Sequence, residues 1–118
     1  TSKILAERLN LLYVDTGAHY RTIAYMLLTD NIYPESHDSI INKLLESKIS
    51  TNLIGRYAQI TINGKTMDDA LLRSALVNQY VSQFAALPQI REFLLHYQSS
   101  LKDFAMEHHF NGLIMPFA

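Results

Sequence analysis

Apolar positions along this chain change their period several times, and each change marks a boundary between elements. Ile4, Leu5 and Leu9 share one helical face while Lys3, Glu7 and Arg8 lie elsewhere, which predicts a short amphipathic helix over Ser2 to Leu9. The continuous apolar run Leu11-Leu12-Tyr13-Val14 then suits a buried strand. Tyr20, Ile23, Ala24, Leu27 and Leu28 return to helical spacing and predict a second helix that fades near Thr29-Asp30-Asn31. Pro34 and Ser36 mark a turn before a third helix, which begins between Ser36 and Ser39 and is carried by Ile40, Ile41, Leu44 and Leu45.

Between Ile49 and Met67 the period shortens. Gln59-Ile60-Thr61-Ile62 alternates, and Asn63-Gly64 is the dipeptide that a tight type I′ turn prefers, so a hairpin is expected there. A further strand is expected over Ile49 to Leu53, with Gly55 as a break before the hairpin. Asp68-Asp69 read as helix caps, and Leu76, Val77, Tyr80, Val81 and Phe84 continue a helical period beyond Leu72. Pro88 fits a first-turn position, after which Ile90, Phe93, Leu94, Tyr97, Leu101 and Phe104 predict a long helix to about Glu107. Gly112 to Met115 would return to a core strand. The order predicts an α/β protein in which a helix-and-hairpin insertion interrupts a parallel core.

Composition narrows the function classes. The 118 residues have the length of one ordinary domain, and 48% hydrophobic with 18% charged residues is a globular balance. A net charge of −1 provides no broad cationic field for nucleic acid, so any phosphate must be bound by a few placed arginines. Cysteine is absent, which excludes disulfides and thiolate zinc sites. No apolar run approaches the roughly 20 residues of a membrane helix, and Thr1-Ser2-Lys3 does not read as a signal peptide. A soluble cytoplasmic protein, bound neither to nucleic acid nor to membrane, is the expectation.

The chemistry concentrates in Val14-Asp15-Thr16-Gly17-Ala18-His19-Tyr20-Arg21, where a strand gives way to a helix N-terminus. In parallel sheets this edge faces the ligand crevice. Arg21 is the strongest candidate, because a guanidinium at a helix start can fork onto phosphate oxygens; the competing reading is a surface arginine on an amphipathic helix. Tyr20 and Thr16 offer a ring and a hydroxyl to a pyrimidine, although Tyr20 also fits the apolar stripe and Thr16 a cap. Asp15 suits either metal-bound water or capping of the turn that follows. His108-His109 point about 100° apart on a helix and make no metal pair, and His19 and His96 are unsupported as ligands or bases. No Ser-His-Asp or Cys-His set is placed for hydrolysis.

Asp15-Thr16-Gly17-Ala18-His19-Tyr20-Arg21, lying beyond Lys3-Ile4-Leu5-Ala6-Glu7-Arg8-Leu9, resembles the D-[ST]-G-A-x-Y-R motif of bacterial cytidylate kinases. Asn63-Gly64 followed by Leu72-Arg73-Ser74 matches next. Ser82-Gln83-Phe84-Ala85-Ala86-Leu87-Pro88-Gln89-Ile90-Arg91-Glu92 and Asn111-Gly112-Leu113-Ile114 then follow in the same order. The resemblance implies a P-loop nucleoside monophosphate kinase-like parallel-sheet core, here incomplete, carrying an inserted NMP-binding domain with a small antiparallel sheet. Residues 1–30 and 93–118 would belong to the core and residues 31–92 to the insertion. It implies transfer of the γ-phosphoryl of ATP, with Mg2+, to CMP or dCMP by a monomer. Arg21 would grip the acceptor phosphate, Thr16 and Tyr20 would shape the pocket, Ser82 and Arg91 would reach the base, and Arg73 would fold toward the nucleotide.

Two departures accompany the match. The family's glycine-rich phosphate loop, which ends in G-K-[GST] and holds ATP, should stand just before Thr1, and its G-R-D segment should follow Ile114. Met115 instead runs directly into Pro116-Phe117-Ala118, so a segment is expected to be missing from that junction. The alternatives are a catalytically inactive nucleotide-binding fragment and a helical interaction module built on the helix from Pro88 to Glu107.

Overall fold

The structure, a computed structural model, describes residues 2–115. The expected break at Pro116 to Ala118 lies outside the described residues. The elements run α1 (Ser2–Leu9), β1 (Leu11–Val14), α2 (Thr16–Thr29), α3 (His37–Glu46), β2 (Ile49–Ile54), β3 (Tyr57–Ile62), α4 (Asp69–Leu72), α5 (Ala75–Ala85), α6 (Pro88–Glu107) and β4 (Gly112–Ile114).

One four-stranded mixed sheet organises them, in the order β2-β3-β1-β4. β1 pairs in parallel with β3, through Tyr13 to Tyr57 and Val14 to Ala58, and in parallel with β4, through Leu11 to Gly112. β2 and β3 are antiparallel over their whole length, from Ile49 opposite Ile62 to Ile54 opposite Tyr57. The fold is thus α/β, and the antiparallel pair is continuous with the parallel strands: β3 serves both.

That continuity moves the hairpin. The connection between the long strands is Gly55-Arg56, with Gly55 at φ +59. Asn63-Gly64 does form a tight two-residue turn, with both residues at positive φ, but it closes only the single bridge from Ile62 to Lys65. Dipeptide chemistry fixes the turn type, whereas the apolar alternation of the flanking residues decides which strands pair. Residues after Gly64 lack that alternation, and those before Gly55 have it.

Alternate residues of a strand face opposite ways. Leu12 and Val14 of β1 and Ala58, Ile60 and Ile62 of β3 enter the core with Ile23 and Leu27 of α2, Phe84 of α5, and Leu94 and Leu101 of α6. The helical stretch expected from Asp68 onward is broken at Arg73 and restarted by Ser74, whose hydroxyl accepts from the Val77 amide. Local capping overrides the apolar period there. Pro88 opens α6 at its first turn, as its fixed φ and missing amide favour. Ile4, Leu5 and Leu9, the expected buried face of α1, are about half exposed, whereas Ala6 enters the interior. No helix among the described residues is long and apolar enough to cross a membrane.

Candidate functional site

The end of β1 shapes the site. Asp15 leaves the strand in extended conformation and caps α2, its Oδ1 accepting from the Ala18 amide at 3.2 Å. This settles the two readings of Asp15 and Thr16 as far as capping goes: Asp15 is the cap, and Thr16 is the first residue of the helix. Capping orients the exposed amides and the positive end of the helix dipole toward the space beyond β1.

That space is a cavity of about 340 Å³. Asp15, Gly17 and Arg21 form one wall, Tyr57, Gln59 and Ile60 of β3 a second, and Met67, Asp69 and Arg73 a third. Its size is that of a small-molecule site. Two guanidinium groups reach it in different states. Arg73 is exposed and donates from Nε to both oxygens of Asp69, at 3.3 and 3.1 Å, so its charge is paired. Arg21 is half-buried and donates from Nη1 to the Leu72 carbonyl at 3.1 Å and to Oδ1 of Asn78. Both acceptors are neutral, and among the described residues no carboxylate pairs with Arg21. A cation held by neutral groups, beside a helix N-terminus and open to a cavity, has the charge and geometry that suit an anion.

Tyr20 faces elsewhere, because neighbouring residues on a helix point about 100° apart. It lines a second cavity, of about 350 Å³, with Pro88, Arg91, Glu92, Leu95 and Gln98 of α6. The structure therefore brings Arg21 together with Arg73, and Tyr20 together with Arg91. Thr16 is half-buried one residue before Gly17, and Ser82 is exposed on α5.

Three features of the site escaped the sequence reading. Tyr57 stacks on Tyr13 at 5.9 Å between centroids, and its phenol is held above its usual pKa by desolvation first and then by the Asp15 carboxylate, so it stays a neutral donor. Asn78 holds the arginine. His19 is fully buried between the two cavity-lining residues Ala18 and Tyr20, takes a hydrogen bond at Nδ1 from Nε2 of Gln98 at 3.2 Å and meets the edge of Tyr97. Its Nε2 has no partner among the described residues. Desolvation lowers its pKa to about 4, against a smaller upward pull from Asp15. The apolar stripe of α2 carried the signal for His19, which stands one position before Tyr20. Tyr57 and Asn78 had none, since pairing across the sheet and packing of α5 on α2 place them. Among the described residues, no three His, Asp or Glu side chains converge on a metal site.

A mixed sheet flanked by helices, with a cavity at the carboxyl end of a parallel strand beside a capped helix, defines an α/β protein with its crevice where such folds hold ligands. The chain belongs to the cytidylate kinase family, whose profile it matches over residues 1–111. It is similar to the cytidylate kinase of Clostridium botulinum (strain Loch Maree / Type A3), with 34% identity over 100 residues, covering 85% of this chain and 44% of that protein. The cytidylate kinase of Listeria innocua serovar 6a is 35% identical over 114 residues, covering 97% of this chain and 47% of that protein. That of Alkaliphilus oremlandii is 34% identical over 100 residues, with coverage of 85% and 44%. The chain spans about half the length of the curated relatives it matches.

Proposed function

We propose that this chain carries the acceptor site of a nucleoside monophosphate kinase that transfers the γ-phosphoryl of ATP to CMP or dCMP. The observation that carries the reading is the Arg21 guanidinium, unpaired with any described carboxylate and reaching from the second turn of α2 into the 340 Å³ cavity. Phosphoryl transfer asks little covalent chemistry of the protein; it needs the acceptor oxygen placed in line and the charge of the phosphates neutralised. Arg21 and the first-turn amides of α2 would hold the acceptor phosphate. Arg73 would leave Asp69 to add a second cation, exchanging an exposed ion pair of small net value for a phosphate contact. Tyr20 and Arg91 would receive the pyrimidine, with Thr16 and Ser82 at the margins of the pocket.

The donor enters as MgATP, a co-substrate expected of the family. Work on free nucleotides as a cytoplasmic monomer completes the reading. The test is release of ADP by the protein with MgATP and CMP, dCMP, UMP or AMP in parallel. Turnover with CMP and dCMP well above UMP and AMP is expected; equal turnover with all four, or none, would overturn the assignment.

A further inference from the structure

Asn78 lies outside every motif of the family resemblance, yet it touches both arginines of the site. Its Oδ1 accepts from Nη1 of Arg21, and its Nδ2 donates to the backbone carbonyl of Arg73 at 3.1 Å. The amide is fixed at both ends: reversed, it would set an NH2 group against a guanidinium, donor against donor. The residue before it, Val77, is fully buried, so the backbone that carries Asn78 is anchored in the core. Leu72, whose carbonyl takes the other Nη1 bond, closes α4. One nitrogen of Arg21 is therefore consumed by two fixed, uncharged acceptors on α4 and α5.

Guanidinium geometry dictates what remains. With both N–H groups of Nη1 committed, the parallel pair left is Nε–H with one N–H of Nη2, the side-on edge that matches two oxygens of a phosphate. We infer that Asn78 is a positioning residue for Arg21, holding the guanidinium by Nη1 so that its Nε–Nη2 edge is pre-set for the phosphate of the acceptor nucleotide. This rests on the reading of the cavity as the monophosphate site. Because Asn78 is neutral, it fixes the arginine without cancelling its charge, whereas Asp69 on Arg73 does cancel it. A long side chain ordered before binding does not lose that freedom on binding.

Equilibrium titration with CMP and with cytidine, on the wild type, Asn78→Ala, Arg21→Ala and the double variant, tests the inference. Asn78→Ala is expected to weaken CMP about fivefold to tenfold, to leave cytidine unchanged, and to add nothing in the Arg21→Ala background. Equal losses for CMP and cytidine, additive losses in the double variant, or tighter binding of CMP would each overturn it; the last would make the contact a latch that competes with phosphate. A wild type that binds CMP no better than cytidine would sink the monophosphate reading itself. The contact would then be judged without ligand, from the arginine side-chain 15N–1H spectrum. Slowed, distinct Arg21 guanidinium signals that average in Asn78→Ala and return in Asn78→Asp, which keeps the acceptor oxygen, support positioning. Signals indifferent to both changes refute it.

Discussion

At the scale of residues, the site and the helix behind it join ionisable groups that are held in different ways. Arg73 is neutralised by Asp69, Arg21 is held by neutral oxygens, and His19 is kept uncharged by burial. The histidine makes a prediction about acid. Its folded pKa of about 4 lies below the unfolded value of 6.5, so the unfolded chain takes up the proton first as pH falls. Stability contributed by neutral His19 is complete above about pH 6.5, declines between 6.5 and 4, and loses nothing further below that, about 3 kcal/mol in all. Thermal melts of the wild type and His19→Met across this window check it: the variant is expected to show a shallower decline. Parallel curves would mean that His19 does not titrate between the two states as its burial requires.

Residue-scale reading of the sequence found the turn from which Arg21 reaches a cavity and stopped short with its neighbours. The helix start and the arginine were legible because a strand-to-helix turn carries its own signal in Val14 to Arg21. That Tyr20 and Arg21 serve different cavities follows from helix geometry, but which neighbours they meet depends on where α4 and α6 dock. Asn78, Tyr57 and Met67 reach the site through contacts distant in sequence, and no local pattern announces them.

At the scale of elements, caps and breaks decided more than apolar period. β1, α2 and α6 were legible because each joins a strong periodic run to an explicit boundary: Asp15 before α2, Pro88 at the start of α6. The long strands of the hairpin were legible too, but not their connection, because Asn63-Gly64 has better turn chemistry than Gly55-Arg56 and both turns abut the same strand, β3. The break between α4 and α5 was hidden by apolar residues that keep their spacing across Ser74. Since Asp15 both caps α2 and stands at the cavity, its role is separable by substitution. Asp15→Ala is expected to cost about 1 kcal/mol of stability, while Asp15→Asn, which keeps an oxygen for the Ala18 amide, costs little. Chemical denaturation of the three proteins measures this; equal losses for the two variants would show that charge, and not the cap, holds the helix start.

At the scale of the whole molecule, a single sheet ties the cavity to the core. β3 pairs with β1 in parallel and with β2 antiparallel, so the wall made by Tyr57, Gln59 and Ile60 cannot move independently of the strand that ends at Asp15. The third wall is made by the four-residue α4 and the exposed Arg73–Asp69 pair, outside the sheet. Membership of the cytidylate kinase family and the Arg21 cavity are the two supports of the proposal that this chain recognises the phosphate of a nucleoside monophosphate. Calorimetric titration of the protein and of Arg21→Ala with CMP and with cytidine tests it most directly. CMP is expected to bind the wild type at least tenfold more tightly than cytidine, and Arg21→Ala to remove about 2 kcal/mol of that preference, roughly thirtyfold in affinity, without changing cytidine. Equal affinity of the wild type for CMP and cytidine, or a preference for CMP that survives Arg21→Ala intact, would contradict the account.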